Sequence, residues 1–94
     1  MIKLFRTNRV VNRNADFIKE IIEKKDPSYD ELIACFEKIK ANGDVGIIKF
    51  DGERDKNWYT VLILFPTNNR EMIRADESDL RKALKKVLTK YITE

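Results

Sequence analysis

The sequence predicts an α+β two-layer sandwich, with two or three helices on one face of a small antiparallel three-stranded meander, in the order (β)ααβββα. Three observations predict it. Apolar residues recur at helical spacing on both sides of a central block, between residues 17 and 39 and again between 80 and 91. The central block, residues 45–65, switches to β-branched and aromatic residues interrupted by one polar turn. Finally, 94 residues of which 43% are hydrophobic can build one core but not two, so residues 1–94 are expected to be a single domain.

The first thirteen residues alternate loosely, Ile2 and Leu4 against Lys3 and Phe5, before a polar stretch around Asn8 and Asn12. This suits a fourth, N-terminal edge strand or an arm. From Asn14, read as an N-cap, Phe17, Ile18, Ile21 and Ile22 follow helical spacing until Asp26-Pro27 stops it. Ser28 and Glu31 have the spacing of a capping box. Behind them Tyr29, Leu32, Ile33, Phe36 and Ile39 form one stripe that Asn42-Gly43 closes.

Residues 45–51 and 58–65 then read as a hairpin around the polar segment 52–57. Pro66 ends the second strand, and residues 71–75 return as a third after the turn-prone Thr67-Asn68-Asn69. Asp76 is placed as the N-cap of the last helix, with Glu77 and Asp79 in its first turn and a stripe of Leu80, Ala83, Leu84, Val87, Leu88 and Tyr91. Ile21, Phe36, Val61, Ile63, Leu84 and Leu88 are expected to share one core. One feature departs from a simple two-layer domain. Trp58, Thr60, Leu62 and Leu64 alternate with Tyr59, Val61, Ile63 and Phe65, so both faces of the second strand are apolar and one needs a further cover. The N-terminal segment through Leu4 and Phe5, a second copy or a foreign protein would each supply it.

Charge and cysteine usage bound the setting. Residues 1–13 hold Lys3, Arg6, Arg9 and Arg13 with no acid, whereas residues 14–31 hold six acids against three lysines, so the net +3 describes a mosaic surface. A single cysteine, Cys35, can form no internal disulfide and suits a reducing compartment, so a cytoplasmic location is expected. The start, Met1 to Arg6, is charged where a signal peptide is apolar, and the longest apolar run, Val61 to Phe65, is too short to cross a bilayer. No membrane association is expected.

The chain has no histidine, which removes the commonest general base and a common zinc ligand. Cys35 has no base beside it in the pattern and reads as a packing residue. Asp51, Glu53 and Asp55 alternate like the opening of a calcium loop, but Lys56 stands where the sharp turn needs Gly and Leu62 where a bidentate Glu must sit. Gly46 and Phe50 match positions of an RNA-recognition strand, yet Val45 and Ile47 offer no ring on which a base could stack. The expectation is a protein that is no enzyme and needs no cofactor.

Two binding readings remain. The first is a protein-binding module whose contact residues are Trp58, Tyr59 and Leu62, rimmed by Asp51, Glu53, Arg54 and Asp55 of the charged turn. Its partner would be another protein or a second copy of the chain. In general character, small, single-domain and without catalytic equipment, such a protein is similar to bacterial toxin-neutralising immunity proteins, which implies an inhibitor of a toxin. The alternative is nucleic-acid binding through Lys3, Arg6, Arg9 and Arg13 together with Arg81, Lys82, Lys85 and Lys86 on the outer face of the last helix.

Overall fold

Alternation and helical periodicity sort the apolar residues onto one side of each element. The computed structural model, which describes residues 14–93, assembles those sides into one core. Its elements are α1 (residues 14–22), α2 (Tyr29–Ala41), β1 (Val45–Phe50), β2 (Tyr59–Leu64), β3 (Ile73–Glu77) and α3 (Leu80–Thr93). The three strands form an antiparallel meander in the order β1-β2-β3, so the expected α+β fold is observed. The proposed N-terminal strand lies outside the described residues.

The α2 start is built as its sequence predicts. Ser28 Oγ accepts from the Glu31 N–H (3.1 Å) while the Glu31 carboxylate accepts from the Ser28 N–H (2.9 Å), satisfying two backbone donors reciprocally. At its end Gly43, with φ of 86°, supplies the left-handed residue that closes the helix. Asn14 does not cap α1 as expected: it is already helical, and its amide donates to the Asn42 Oδ1 instead (2.5 Å). The Asn42 amide in turn donates to the Tyr91 hydroxyl (2.8 Å), and that hydroxyl donates to Asp44 Oδ2 (2.7 Å). This chain of bonds ties α1, the end of α2, the start of β1 and the end of α3 together.

The last connection also differs from expectation. Asp76 belongs to β3, paired with Thr60, and the cap of α3 is Asp79, whose carboxylate accepts from the Arg81 N–H (2.9 Å). An aspartate three residues nearer the helix already meets its orphan donors, and alternation with the apolar Ile73 and Ala75 draws residues 74 and 76 into the strand. Glu77 therefore sits at the strand end rather than in the first helical turn. The other end of α3 is closed by Arg70, whose Nη2 donates to the carbonyls of Lys90 (3.0 Å) and Tyr91 (2.8 Å) while its guanidinium lies over the Phe65 ring.

The core lies between the sheet and the helices. Ile18, Ile21, Leu32, Cys35, Ile39, Val61, Ile63, Phe65, Ile73, Leu84, Val87 and Leu88 are buried there. Of the six residues expected to share it, Phe36 alone is only half-buried, because it lies over the edge strand β1 rather than the sheet centre. A Cβ on Gly46 would stand 2.4 Å from the Phe36 ring, so the absence of a side chain there lets α2 approach β1. Cys35, read from the sequence as a packing residue, is fully buried, and burial pushes its thiol pKa up to about 11.

Candidate functional site

The strand register separates two faces. Val61, Ile63 and Phe65 point into the core, and the residues opposite them in the ladder share that side. On the other face stand Val45 beside Leu64, Ile47 beside Leu62 and Arg74, and Lys49 beside Thr60 and Asp76. None of the described helices packs on this face. Val45 and Ile47 keep about two fifths of their surface exposed, Met72 about half, and Leu62 and Leu64 are half-buried. The apolar second face anticipated from the alternation of β2 is thus open among the described residues.

A polar corner borders it where the hairpin turn folds back on the sheet. Arg54 Nη1 donates to Asp76 Oδ1 (3.0 Å), to the Asn57 carbonyl (3.0 Å) and to Thr60 Oγ1 (3.2 Å). The Thr60 hydroxyl donates to the same Asp76 oxygen (2.5 Å), and Arg74 Nε donates to the other (3.0 Å). Hydrogen bonds from Arg74, then Thr60, then Arg54 hold the Asp76 carboxyl far below the usual carboxylate range. Asp51 is held below its ordinary value in the same way, first by the Glu53 N–H (3.0 Å) and then by Lys49 and Arg54.

The turn itself is ordered by this corner. Asn57, with φ of 55°, takes the left-handed conformation that asparagine tolerates, and its N–H donates to Ser78 Oγ (2.8 Å). The Trp58 indole N–H donates to the Arg54 carbonyl (2.8 Å) and leaves the ring two fifths exposed beside a shallow cleft shared with Phe50, Asp51, Gly52 and Tyr59. Asp51 and Arg54 are thus fastened to the sheet, while Glu53 and Asp55 are exposed.

The sequence-based set is therefore divided by the fold. Asp51, Arg54, Trp58 and Leu62 border or line the open face. Tyr59 points to the helix side, where its ring meets that of Phe50 edge-on with centroids 5.2 Å apart, and it meets the group only at the cleft it shares with Trp58 and Asp51. Thr60, Arg74 and Asp76, which complete the corner, escaped the sequence reading. A threonine and two alternate charged residues set into otherwise apolar strands were the signal for them.

The basic face of α3 is less basic in three dimensions than in sequence. Arg81 pairs with Asp26 (3.1 Å) and lies over the Tyr29 ring, and Glu77 takes Lys86 (2.5 Å) and Lys82 (3.9 Å). Arg81 and Lys85 are half-buried and Lys82 and Lys86 exposed. Lys3, Arg6, Arg9 and Arg13 lie outside the described residues. Among the described residues no cluster of three Cys, Asp or Glu side chains is placed to hold a metal ion, and no helix is long and apolar enough to cross a membrane. No family model, curated protein or solved structure matches the chain.

Proposed function

We propose that this protein is a non-enzymatic protein-binding module that engages another protein through the open face of its sheet. The observation that carries the reading is the alignment of Val45, Ile47, Leu62 and Leu64 on the face opposite the helices, bordered by the fastened Arg54–Asp76 corner. An apolar strip with an ordered polar rim supplies desolvation at its centre and orientation at its edge. Trp58, held by its indole N–H and exposed on its ring, is the anchor at the corner. An inhibitory role of the toxin-neutralising kind, in a reducing cytoplasm, is the setting that suits a small module with one unpaired cysteine. Nucleic-acid binding is the weaker reading, since carboxylates already engage Arg81, Lys82 and Lys86.

The test is site-specific photo-crosslinking in cells that make the protein, with the reactive group at position 62 and, as control, at position 85 on α3. A discrete protein adduct from position 62 alone is expected. Trp58→Ala should then weaken binding of the purified partner by at least about 2 kcal/mol with the circular dichroism of the chain unchanged. No adduct from position 62, or equal adducts from both positions, would overturn the reading.

A further inference from the structure

Among the described residues seven large hydrophobic side chains remain exposed, and five of them belong to β1 and the helix that covers it: Val45, Ile47 and Phe50, with Tyr29 and Ile33 on α2. No residue of β1 is buried, although it is a strand of the sheet. The two sheet edges also differ in kind. The strand β3 carries Arg74, Asp76 and Glu77 along its five residues, the charged pattern that blunts an edge, whereas β1 carries Lys49 alone. Among the described residues the unprotected edge is β1.

Its backbone is oriented for pairing. Asp51 donates its N–H to the Trp58 carbonyl (2.7 Å), and opposite pairs in an antiparallel ladder alternate between bonded and unbonded. It follows that Val45, Ile47 and Lys49 spend their backbone groups on β2, while Gly46, Ile48 and Phe50 direct theirs outward. An outward row of N–H and C=O groups on every second residue is recognised by one kind of occupant, an extended strand.

We propose that this occupant is a second copy of the chain, whose β1 pairs antiparallel with the first about a two-fold axis through Ile48 to make one continuous six-stranded sheet. The strand is self-complementary in that register. Phe50, 68% exposed, falls opposite the partner subunit's Gly46, where no side chain stands, and comes beside the Phe36 ring that covers that glycine. Lys49 falls opposite the partner subunit's Ile47 rather than opposite its own counterpart, so like charges do not oppose each other. The axis is perpendicular to the sheet, so the α2 helices of the two copies lie on the same side as neighbours. Ile33, one turn before Phe36, then faces the seam between them.

At the seam the exposed parts of Phe50 and Ile33 offer roughly 200 Å² of apolar area per copy, if an aromatic presents about 200 Å² in full. The strand backbone and the polar flank of α2 add to it, against about 800 Å² per partner in a standard interface. An interface of that size is at the small end of the range, so the dimer is a weak one that dissociates on dilution. Edge pairing leaves the open face of Val45, Ile47, Leu62 and Leu64 free, so this inference goes beyond the protein-binding reading and does not depend on it.

Sedimentation equilibrium of the full chain from about 1 to 500 µM tests the proposal together with backbone hydrogen exchange of the same samples. The expected results are a species of twice the chain mass at the upper end, slowed exchange at Gly46, Ile48 and Phe50, and loss of that protection on dilution. Phe50→Lys, at an exposed position, should raise the dissociation constant at least tenfold while the circular dichroism of the dilute, monomeric chain stays that of the wild type. A chain that stays monomeric throughout, as a site for another protein's strand would require, overturns the proposal. So does a dimer in which those three amides exchange freely, which is the signature of association through the open face.

Discussion

Arg54 and Asp76, twenty-two residues apart, meet at 3.0 Å on the sheet face opposite the helices, with the Thr60 hydroxyl bonded to both. The contact closes the hairpin turn over the start of β2 and converts a charged loop into the fixed border of an apolar strip. Partly exposed ion pairs contribute little singly, but here one carboxylate collects three donors from three segments of chain.

Replacing Asp76 by Ala should destabilise the fold by about 1 to 2 kcal/mol, discounted from the charged hydrogen-bond range because the site is about one-third exposed. Since the folded carboxyl titrates below its unfolded value, its contribution is fully present above about pH 4 and fades as pH falls toward the folded value. Urea midpoints of wild type and Asp76→Asn between neutral pH and pH 2 should converge. Parallel curves would show that the network does not stabilise the fold.

Gly46→Ala should cost about 1 to 3 kcal/mol, because its Cβ would press on the Phe36 ring and lift α2 from β1. Shortening the ring in the double variant Gly46→Ala, Phe36→Leu should recover part of the loss, so the two substitutions are non-additive in a urea melt. Additive losses would mean that the two residues do not press on each other.

Leu84 is fully buried at the centre of the α3 stripe, and Leu84→Ala should cost about 2 to 5 kcal/mol. A melt shifted by less than half a kcal/mol would place that side chain outside the core.

The Cys35 thiol, buried and raised to about 11 by desolvation, should react with an aromatic disulfide reagent only as fast as the chain opens. Labelling at pH 8 should therefore follow the opening equilibrium in urea. Immediate labelling of the native protein would contradict its place in the core.

Tyr91→Phe removes the hydroxyl that joins Asn42 to Asp44 and should cost about 1 to 2 kcal/mol. Burial pushes the phenol up to about 12, above its unfolded value near 10. Its contribution is therefore fully present below about pH 10 and is lost as pH rises toward 12, a sign opposite to that of Asp76. The phenylalanine variant should lack this alkaline component of unfolding.

Each element that sequence predicts correctly depends on neighbours along the chain. The capping box of Ser28 and Glu31, the stripe of α3 and the alternation of β2 are properties of residues three, four or two apart, so the α+β order, most of the core and the doubly apolar β2 were legible without coordinates. Asp76 shows where that reasoning stops. A lone aspartate before a helical stripe looks like a cap, and only the pairing of β3 with β2 decides that it faces Thr60 and Arg54 while Asp79 takes the cap. Likewise the lysines of α3 read as a basic ridge until β3 brought Glu77 beside them, and Tyr59, next to Trp58 in sequence, points to the other face of the sheet and meets it only at the cleft beside Phe50. Local pattern determines which atoms avoid water; the tertiary structure determines which charges and which edges meet, because Coulomb contacts and strand pairing depend on distance in space and carry no period that one segment can display.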